Sequence, residues 1–467
     1  MRVHISGMCG RVYASLAKEL LGMGHGVTGS DERPLPPVSD YLREHDITCS
    51  EGFSAENITH EIDLVLANAA FAENPEIVQA RRLGIRVSNF ARYLGDTFLK
   101  RSRNAVVAGS YGKTTTSSML AWILEYCDRQ PSWLVGGVSP NLHDPVRIRE
   151  SAWWVLEGDE YRSGPDDDLP KFHYYNPEIG IVTAVDFVHQ DQFDSLEEVI
   201  GRFQDFVRSI KPEGVLFAAD TPLITEKLAP EARSRFVTVG FEETSDVRLG
   251  RPVWEEGRSL FSLGEADFSL GLRGRTACMN AALAALAAEA CGIPLEESAA
   301  ALREYKGVLQ RQEVIADIPD LTVIYDIGIY PRSIAEVVAS IAESAQGRRL
   351  CVLFQPRYNQ GDEELYYGDL AAAFGGVDRL LLTEAVNLPG LRGAFDFDPS
   401  RLKRLLPESV QVQLVGPALK CFPQWSDDAL LGDVWLIMVE PLFPEPLASI
   451  RIHVSGLSGD ALAPIGT

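Results

Sequence analysis

The stretch Ala105-Val106-Val107-Ala108-Gly109-Ser110-Tyr111-Gly112-Lys113-Thr114-Thr115-Thr116 decides how the rest of the chain is read. Four small apolar residues run into a turn holding two glycines, a lysine and three threonines, and a helical pattern follows through Glu125. Strand, glycine turn and helix in that order are the setting a phosphate-binding loop needs. Glycines let backbone N–H groups turn inward around phosphate oxygens, and the helix N-terminus adds a favourable dipole. Lys113 would bring charge to the outer phosphates, and Thr114 a hydroxyl to Mg²⁺. Gly109, Ser110, Gly112 and Thr115 complete the expected cradle. The general motif carries a further glycine six residues before the lysine, where this chain has Val107.

Downstream, Glu157-Gly158-Asp159-Glu160 follows the apolar strand Trp153–Leu156. A carboxylate at the C-terminal end of such a strand faces the ligand side of an α/β sheet, and Glu157 there could hold Mg²⁺ directly or through water. A solvated acidic loop is the other reading. The run Asp166–Asp168 reads as solvated surface. His189, between Asp186 and Asp191, is a candidate to hold a metal or orient a water. Arg311 and Glu313 close this block, where a phosphate contact at a hinge and a surface ion pair are both open. Further strands are expected at Ile179–Ala184 and Gly214–Ala218. Asn280–Ala290, Ala-rich and free of Gly and Pro, reads as a buried helix.

Upstream, Arg2–Ser6 is a strand, Gly7 and Gly10 a turn, and Val12–Leu21 a helix. A second strand led by Gly26–Gly29 ends at Asp31, and another covers Leu64–Ala67, followed by Asn68. That order looks like a nucleotide-binding βαβ unit, or a tight βα turn with no ligand. Past Val314, strands at Thr322–Tyr325, Arg349–Phe354, Leu380–Thr383 and Val434–Val439 alternate with helical patterns, as in another doubly wound sheet. The tail Ser455–Thr467 is expected to fray. The expected division is 1–100, 101–313 and 314–467.

The bulk numbers agree with three α/β domains. The chain has 467 residues, and at about 150 per domain that gives roughly three. Hydrophobic residues make up 46% and charged residues 23%, which excludes a disordered or collagen-like chain. The net charge of −23 argues against nucleic acid or an anionic membrane as partner. No apolar run reaches membrane-spanning length, and the first twenty residues lack a signal-peptide core. Seven scattered cysteines without a CxxC pair favour neither zinc nor disulfides, so a reducing cytoplasm is expected.

With these residues in view, the chain resembles the Mur ligase family, ATP-dependent amide-forming enzymes of the bacterial cell wall. The loop Gly109–Thr116 is similar to that family's G-T-x-G-K-T-T-T. The narrower resemblance is to its murein peptide ligase branch, carried by His4–Gly10, Gly24–Asp31, Met119–Glu125, Leu134–Leu142, Glu157–Tyr161 and Lys171–Pro177. The resemblance implies a Rossmann-like N-terminal domain for a UDP sugar, a central P-loop domain for ATP and a Rossmann-like C-terminal domain for an amine. It implies a ligase in peptidoglycan recycling, joining L-Ala-γ-D-Glu-meso-diaminopimelate to UDP-N-acetylmuramate through an acyl phosphate. The branch that adds L-alanine, or a diverged nucleotide-sugar binder without catalysis, is the alternative. By the same resemblance Lys113 meets the γ-phosphate, while Thr114, Glu157 and His189 form the metal site. Arg311 contacts ATP phosphates, Asn280 lies on the adenine side, and Asp326 opens the C-terminal signature. Ser6, Gly7, Gly10, Ser30, Asp31 and Asn68 fall where the family binds the UDP part.

The sequence also departs from the family pattern. Val188 precedes His189, and Ala184 replaces an asparagine. Thr276 and Ala277 stand where the adenine motif has His-Asn. The C-terminal D-[YF]-[AG]-H-H-P reads Asp326-Ile327-Gly328-Ile329-Tyr330-Pro331, without either histidine. Glu440–Pro446, with three prolines, replaces a Gly-rich segment. The amine substrate and the oligomeric state are not legible.

Overall fold

The computed structural model describes residues 1–67, 74–164, 166–188, 192–255, 257–318, 321–328, 330–357, 361–386, 394–416 and 432–439. The first sheet contains β1 (Arg2–Ser6), β2 (Gly26–Asp31), β3 (Thr48–Glu51), β4 (Leu64–Ala67) and β5 (Arg86–Ser88), all parallel, in the order β3-β2-β1-β4-β5. Ser6 lies opposite Ser30 in the β1–β2 register, so both serines reach the carboxyl edge together.

The central sheet is larger. Its strands are β6 (Arg103–Ala108), β7 (Ser132–Leu134), β8 (Val146–Arg147) and β9 (Trp153–Glu157), then, past the small hairpin β10 (Arg162–Gly164) and β11 (Asp167–Pro170), β12 (Ile179–Val182), β13 (Val215–Ala219), β14 (Arg235–Gly240) and β15 (Val247–Arg248). The order is β15-β14-β13-β12-β6-β9-β7-β8, parallel except for β7–β8. Strands β9 and β12 are buried along their whole length, as continuous apolar runs in a parallel sheet should be. Their register sets the site: Val107 pairs with Glu157 and Ala108 with Val182, so the phosphate loop, Glu157 and Thr183 emerge at one edge.

The helix Lys113–Tyr126 covers this sheet and packs on the helix Arg275–Ala290. The second helix begins five residues before the expected Asn280. The first turn adds Ala277 and Cys278 to the buried face, and Gly274 (φ +95°) sets the start. Its alanines lose little side-chain entropy and let the two helices approach closely. Burying Leu120, Ile123 and Leu124 contributes about 1.5–3 kcal/mol each.

An antiparallel sheet follows: β16 (Val253–Glu255), β17 (Arg258–Leu263) and β18 (Ala266–Leu270). The last sheet has β19 (Glu313–Ile318), β20 (Leu321–Tyr325), β21 (Arg349–Phe354), β22 (Arg379–Leu382), β23 (Gln411–Leu414) and β24 (Asp433–Met438), ordered β19-β20-β24-β21-β22-β23. Only β19 in it runs antiparallel. The three-part α/β architecture expected from the sequence is thus present.

The parts are joined unequally. One apolar core runs from Val3, Ile5 and Leu66 of the first sheet through Val106, Leu156 and Val182 of the central one. Ser15 and Lys18 add hydrogen bonds to Val146 and Asp144. The last sheet has its own cores, around Val352 and Leu436 and around Val323 and Trp435. It meets the central domain mainly through polar pairs: Thr276–Glu336 at 3.0 Å, Arg273–Asp317 at 2.8 Å, and Arg332–Asp186. The connecting chain is pinned to the central domain as far as Leu309, whose N–H donates to the Val138 carbonyl at 2.8 Å. Gln310 and Gln312 both adopt positive φ, and Glu313 opens β19.

Candidate active site

Gly109 and Gly112 have φ of +148° and +83°. A Cβ on Gly109 would sit 2.1 Å from the Thr183 hydroxyl, and one on Gly112 would sit 2.9 Å from Asn280 Oδ1. The loop therefore needs glycine for conformation and for clearance. Ser110 is tied down at both ends, its N–H to the Ala184 carbonyl at 2.9 Å and its hydroxyl to the Asp186 carbonyl at 3.0 Å. The helix starting at Lys113 has no side-chain N-cap, so its first N–H groups are open to an anion.

Lys113 is buried. Its ammonium donates to the Gly109 carbonyl at 2.6 Å and to Glu160 Oε2 at 2.8 Å, with Asp159 3.8 Å away. Burial alone would lower its pKa; the carboxylates of Glu160, Asp159 and Glu157 outweigh that and raise it. Lys171 is a second, half-buried cation, 2.6 Å from Asp159 Oδ2. Asp159 is held well below the usual carboxylate range: burial opposes this, and Lys171 and Lys113 prevail. Glu157 goes the other way, raised by burial and by Asp159.

Thr114 Oγ1 donates to Glu157 Oε1 at 2.9 Å, and Gly136 N–H to Glu157 Oε2 at 2.6 Å. A Cβ on Gly136 would collide with that carboxylate at 2.6 Å. A hydroxyl beside a carboxylate, next to a phosphate cradle, fits Mg²⁺, which binds through one or two protein oxygens plus phosphates and waters. Among the described residues no three His, Cys, Asp or Glu side chains converge as a ready-made cation cage. His189 lies outside the described residues.

Arg311 and Asp326 meet at the junction to the last sheet. Asp326 accepts N–H groups from Gln312 at 2.9 Å and Gly328 at 2.6 Å. Burial pushes its carboxyl up against the pull of Arg311. Glu313 accepts from the Gln310 N–H at 2.9 Å. Asn280, on the helix Arg275–Ala290, borders the phosphate loop at Gly112.

In the first sheet, Gly7 (φ +83°) and Met8 both donate N–H to the Ser30 carbonyl at 2.9 Å, and Cys9 N–H donates to Asp31 Oδ2 at 2.8 Å. Gly10 starts the helix Arg11–Gly22 and is exposed. The hydroxyls of Ser6 and Ser30 turn inward to Glu76, the second at 2.7 Å. Asn57 also donates to Glu76, at 2.6 Å, and His4 lies 3.4 Å away. Burial would raise the Glu76 pKa; the hydrogen bonds from His4, Ser30, Ser6 and Asn57 hold it down to about 2. Asn68 lies outside the described residues, as do Ile329, Cys421, Glu440–Pro446 and the tail.

Several of these groups went unmarked in the sequence. Glu76 reads as an ordinary helix-start acid after Pro75, and Glu160 as one more residue of an acidic loop. Arg332 follows Pro331 with no motif of its own. Lys171 had one signal, its place in the segment Lys171–Pro177. The run Asp166–Asp168 is not simply solvated, contrary to expectation. Asp167 accepts from Asn89 Nδ2 at 2.7 Å and from the Tyr174 hydroxyl at 2.5 Å, and Asp166 pairs with Arg81, so the hairpin is stapled to the first domain.

Residues 2–101 match the Mur ligase family catalytic domain, and residues 107–288 the Mur ligase middle domain. The UDP-N-acetylmuramate--L-alanyl-gamma-D-glutamyl-meso-2,6-diaminoheptandioate ligase of Escherichia coli is 29% identical over 395 residues, covering 83% of this chain and 86% of its own. The UDP-N-acetylmuramate--L-alanine ligase of Myxococcus xanthus is 32% identical over 390 residues, covering 82% and 80%. A crystal structure of a murein peptide ligase from Psychrobacter arcticus superposes with a TM-score of 0.68 at 25% identity, covering 99% of this chain and all of that one. Matched in two of its domains and along four-fifths of its length, the chain belongs to the Mur ligase family.

Proposed function

We propose that the protein is an ATP-dependent ligase joining a peptide amine, of the L-Ala-γ-D-Glu-meso-diaminopimelate type, to the carboxylate of UDP-N-acetylmuramate. The observation that carries this reading is the convergence of Lys113, Thr114 and Glu157 at the shared edge of β6 and β9. In this reading residues 1–100 hold the UDP sugar, 101–313 hold ATP and 314–467 bring the amine. ATP as co-substrate places the reaction in the cytoplasm.

Amide formation from a free carboxylate is uphill in water, so the carboxylate is first phosphorylated. Lys113 leaves Glu160 for the γ-phosphate, and the N–H groups of the loop other than that of Ser110, which Ala184 holds, receive the phosphate oxygens. Thr114 and Glu157, with His189, would hold Mg²⁺, which neutralises phosphate charge when bound. The phosphoryl group passes to the carboxylate and ADP departs. The amine then attacks the acyl carbon, and the tetrahedral intermediate expels phosphate. Arg311 sits at the domain junction for the nucleotide phosphates, Asn280 lies towards the adenine side, and Asp326 orders the junction. The last domain, docked through few polar pairs, can close to keep water from the acyl phosphate.

The test is phosphate release by purified protein given ATP, Mg²⁺, UDP-N-acetylmuramate and the tripeptide. Amine-dependent release, abolished in Lys113→Ala with the fold intact, is expected. Release with L-alanine alone would move the protein to the alanine-adding branch. No release with any amine would reject the ligase.

A further inference from the structure

A cavity of about 340 Å³ opens between the central and last domains. Trp254, Gly257 and Arg258 of the β16–β17 hairpin form one wall. Arg273, Asp317 and Arg348 form much of the rest, from three different segments. The cavity is separate from the phosphate loop. The helix Pro331–Ser344 has Arg332, paired with Asp186 beside that loop, near its start, and ends at the cavity. At about 1.5 Å per residue its 14 residues put roughly 20 Å between the two places.

The lining is locally basic in a chain of charge −23. Three guanidinium groups face it, and Asp317 is the one carboxylate among the described lining residues. Arg273 is 7% exposed; its Nη2 pairs with Asp317 Oδ2 at 2.8 Å, while its Nε has no hydrogen-bond partner. A buried guanidinium N–H without an acceptor is costly, and an oxyanion supplies the acceptor. The other two arginines are held by neutral oxygens. Arg258 Nε donates to Ser269 Oγ at 2.6 Å, and Arg348 donates to Thr322 Oγ1 at 3.0 Å and the Asp433 carbonyl at 2.7 Å. Such partners fix the guanidinium planes and leave their charge uncancelled. Gly257 (φ +73°) brings the hairpin turn close: a Cβ there would lie 3.2 Å from Asp317 and 3.3 Å from Arg273.

We propose that this cavity binds a small oxyanion, a phosphate- or carboxylate-bearing metabolite, at the seam of the two domains. Planar guanidinium forks match both groups, and the volume suits a small molecule. The walls belong to both domains and are linked across by a hydrogen bond from Gln346 to the Trp254 carbonyl at 2.5 Å. An occupant therefore ties the domains together and shifts their relative position by its own differential affinity.

The experiment is calorimetric titration of the full chain with inorganic phosphate and, separately, with citrate. A saturating non-hydrolysable ATP analogue with Mg²⁺ first caps the phosphate loop. One saturable site for at least one anion is expected, weakened tenfold or more by Arg273→Gln, with the analogue's affinity unchanged. The tighter of the two anions identifies the oxyanion class. Gly257→Asn keeps the left-handed turn and pushes a side chain against the Asp317–Arg273 pair. It should weaken binding similarly, which covers the case of an Arg273 variant that folds poorly. Absence of saturable binding, or unchanged affinity in both variants, overturns the proposal.

Discussion

The ammonium of Lys113 lies 2.8 Å from Glu160 Oε2, so the lysine of the phosphate loop is turned inward onto a buried carboxylate. An incoming phosphate must displace that carboxylate, and part of its binding energy goes into breaking the pair. Replacing Glu160 by Gln keeps the shape and removes the competing charge. Glu160→Gln should lower the dissociation constant for ATP severalfold in a direct binding titration. Unchanged or weaker binding would mean that Glu160 helps position the lysine instead.

Lys171 supports the same cluster from behind. Removing it leaves the half-buried Asp159 beside Glu157 and Glu160 with only Lys113 for compensation. Breaking one side of a fully buried pair costs about 3–5 kcal/mol, and losing Lys171, a quarter exposed, should cost less. Lys171→Met should therefore lower the melting temperature by several degrees. Without Lys171 the depressed Asp159 pKa rises, so the acid limb of the rate profile should move to higher pH, and Lys171→Arg should restore it.

Glu76 predicts acid behaviour. Its pKa is about 2 in the fold against an ordinary 4.5. A depressed folded pKa gives stability that is fully present above about pH 4.5 and is lost as pH falls towards 2. Glu76→Gln should be less stable at neutral pH and should lose less between pH 4.5 and 2. Parallel acid-unfolding curves for the two proteins would contradict this. The same variant frees the Ser6 and Ser30 hydroxyls and should weaken UDP-sugar binding, measured by calorimetry.

Arg332 reaches across from the last domain to Asp186, whose N–H and carbonyl both meet Ser110 of the phosphate loop. The arginine is half exposed, so Arg332→Ala should cost at most about 1 kcal/mol in stability. Its larger effect should be on domain docking. Small-angle scattering should show a wider particle for the variant, and the Michaelis constant for ATP should rise.

Much of this molecule was legible in its sequence. The apolar runs Ala105–Ala108, Trp153–Leu156 and Val434–Val439 are strands because parallel sheets bury both faces, which leaves an unbroken hydrophobic signal. The strands β16–β18 escaped notice because they alternate: β17 buries every second residue, so no run forms. The phosphate loop was legible because its chemistry is local, four glycine-turn residues beside a lysine and threonines. The Glu76 cluster was not, because its partners lie far off in sequence, and the Lys171 pair with Asp159 spans a hairpin of twelve residues that carries no periodic signal. Glu76 draws on Ser6, Ser30 and Asn57, up to 70 positions away.

The junction between central and last domains has a mechanical consequence. The chain is anchored to the central domain at Leu309, through the Val138 carbonyl, and is woven into the last sheet from Glu313. Between them lie Gln310, Arg311 and Gln312, with a left-handed residue on either side of the arginine. The last domain already grips this turn: Ile327 N–H donates to the Gln310 carbonyl and Gln312 N–H to Asp326. Any turn of that domain would therefore be taken up at the single step after Leu309, and Arg311 would travel with it. A residue placed so would carry its charge wherever the door stands.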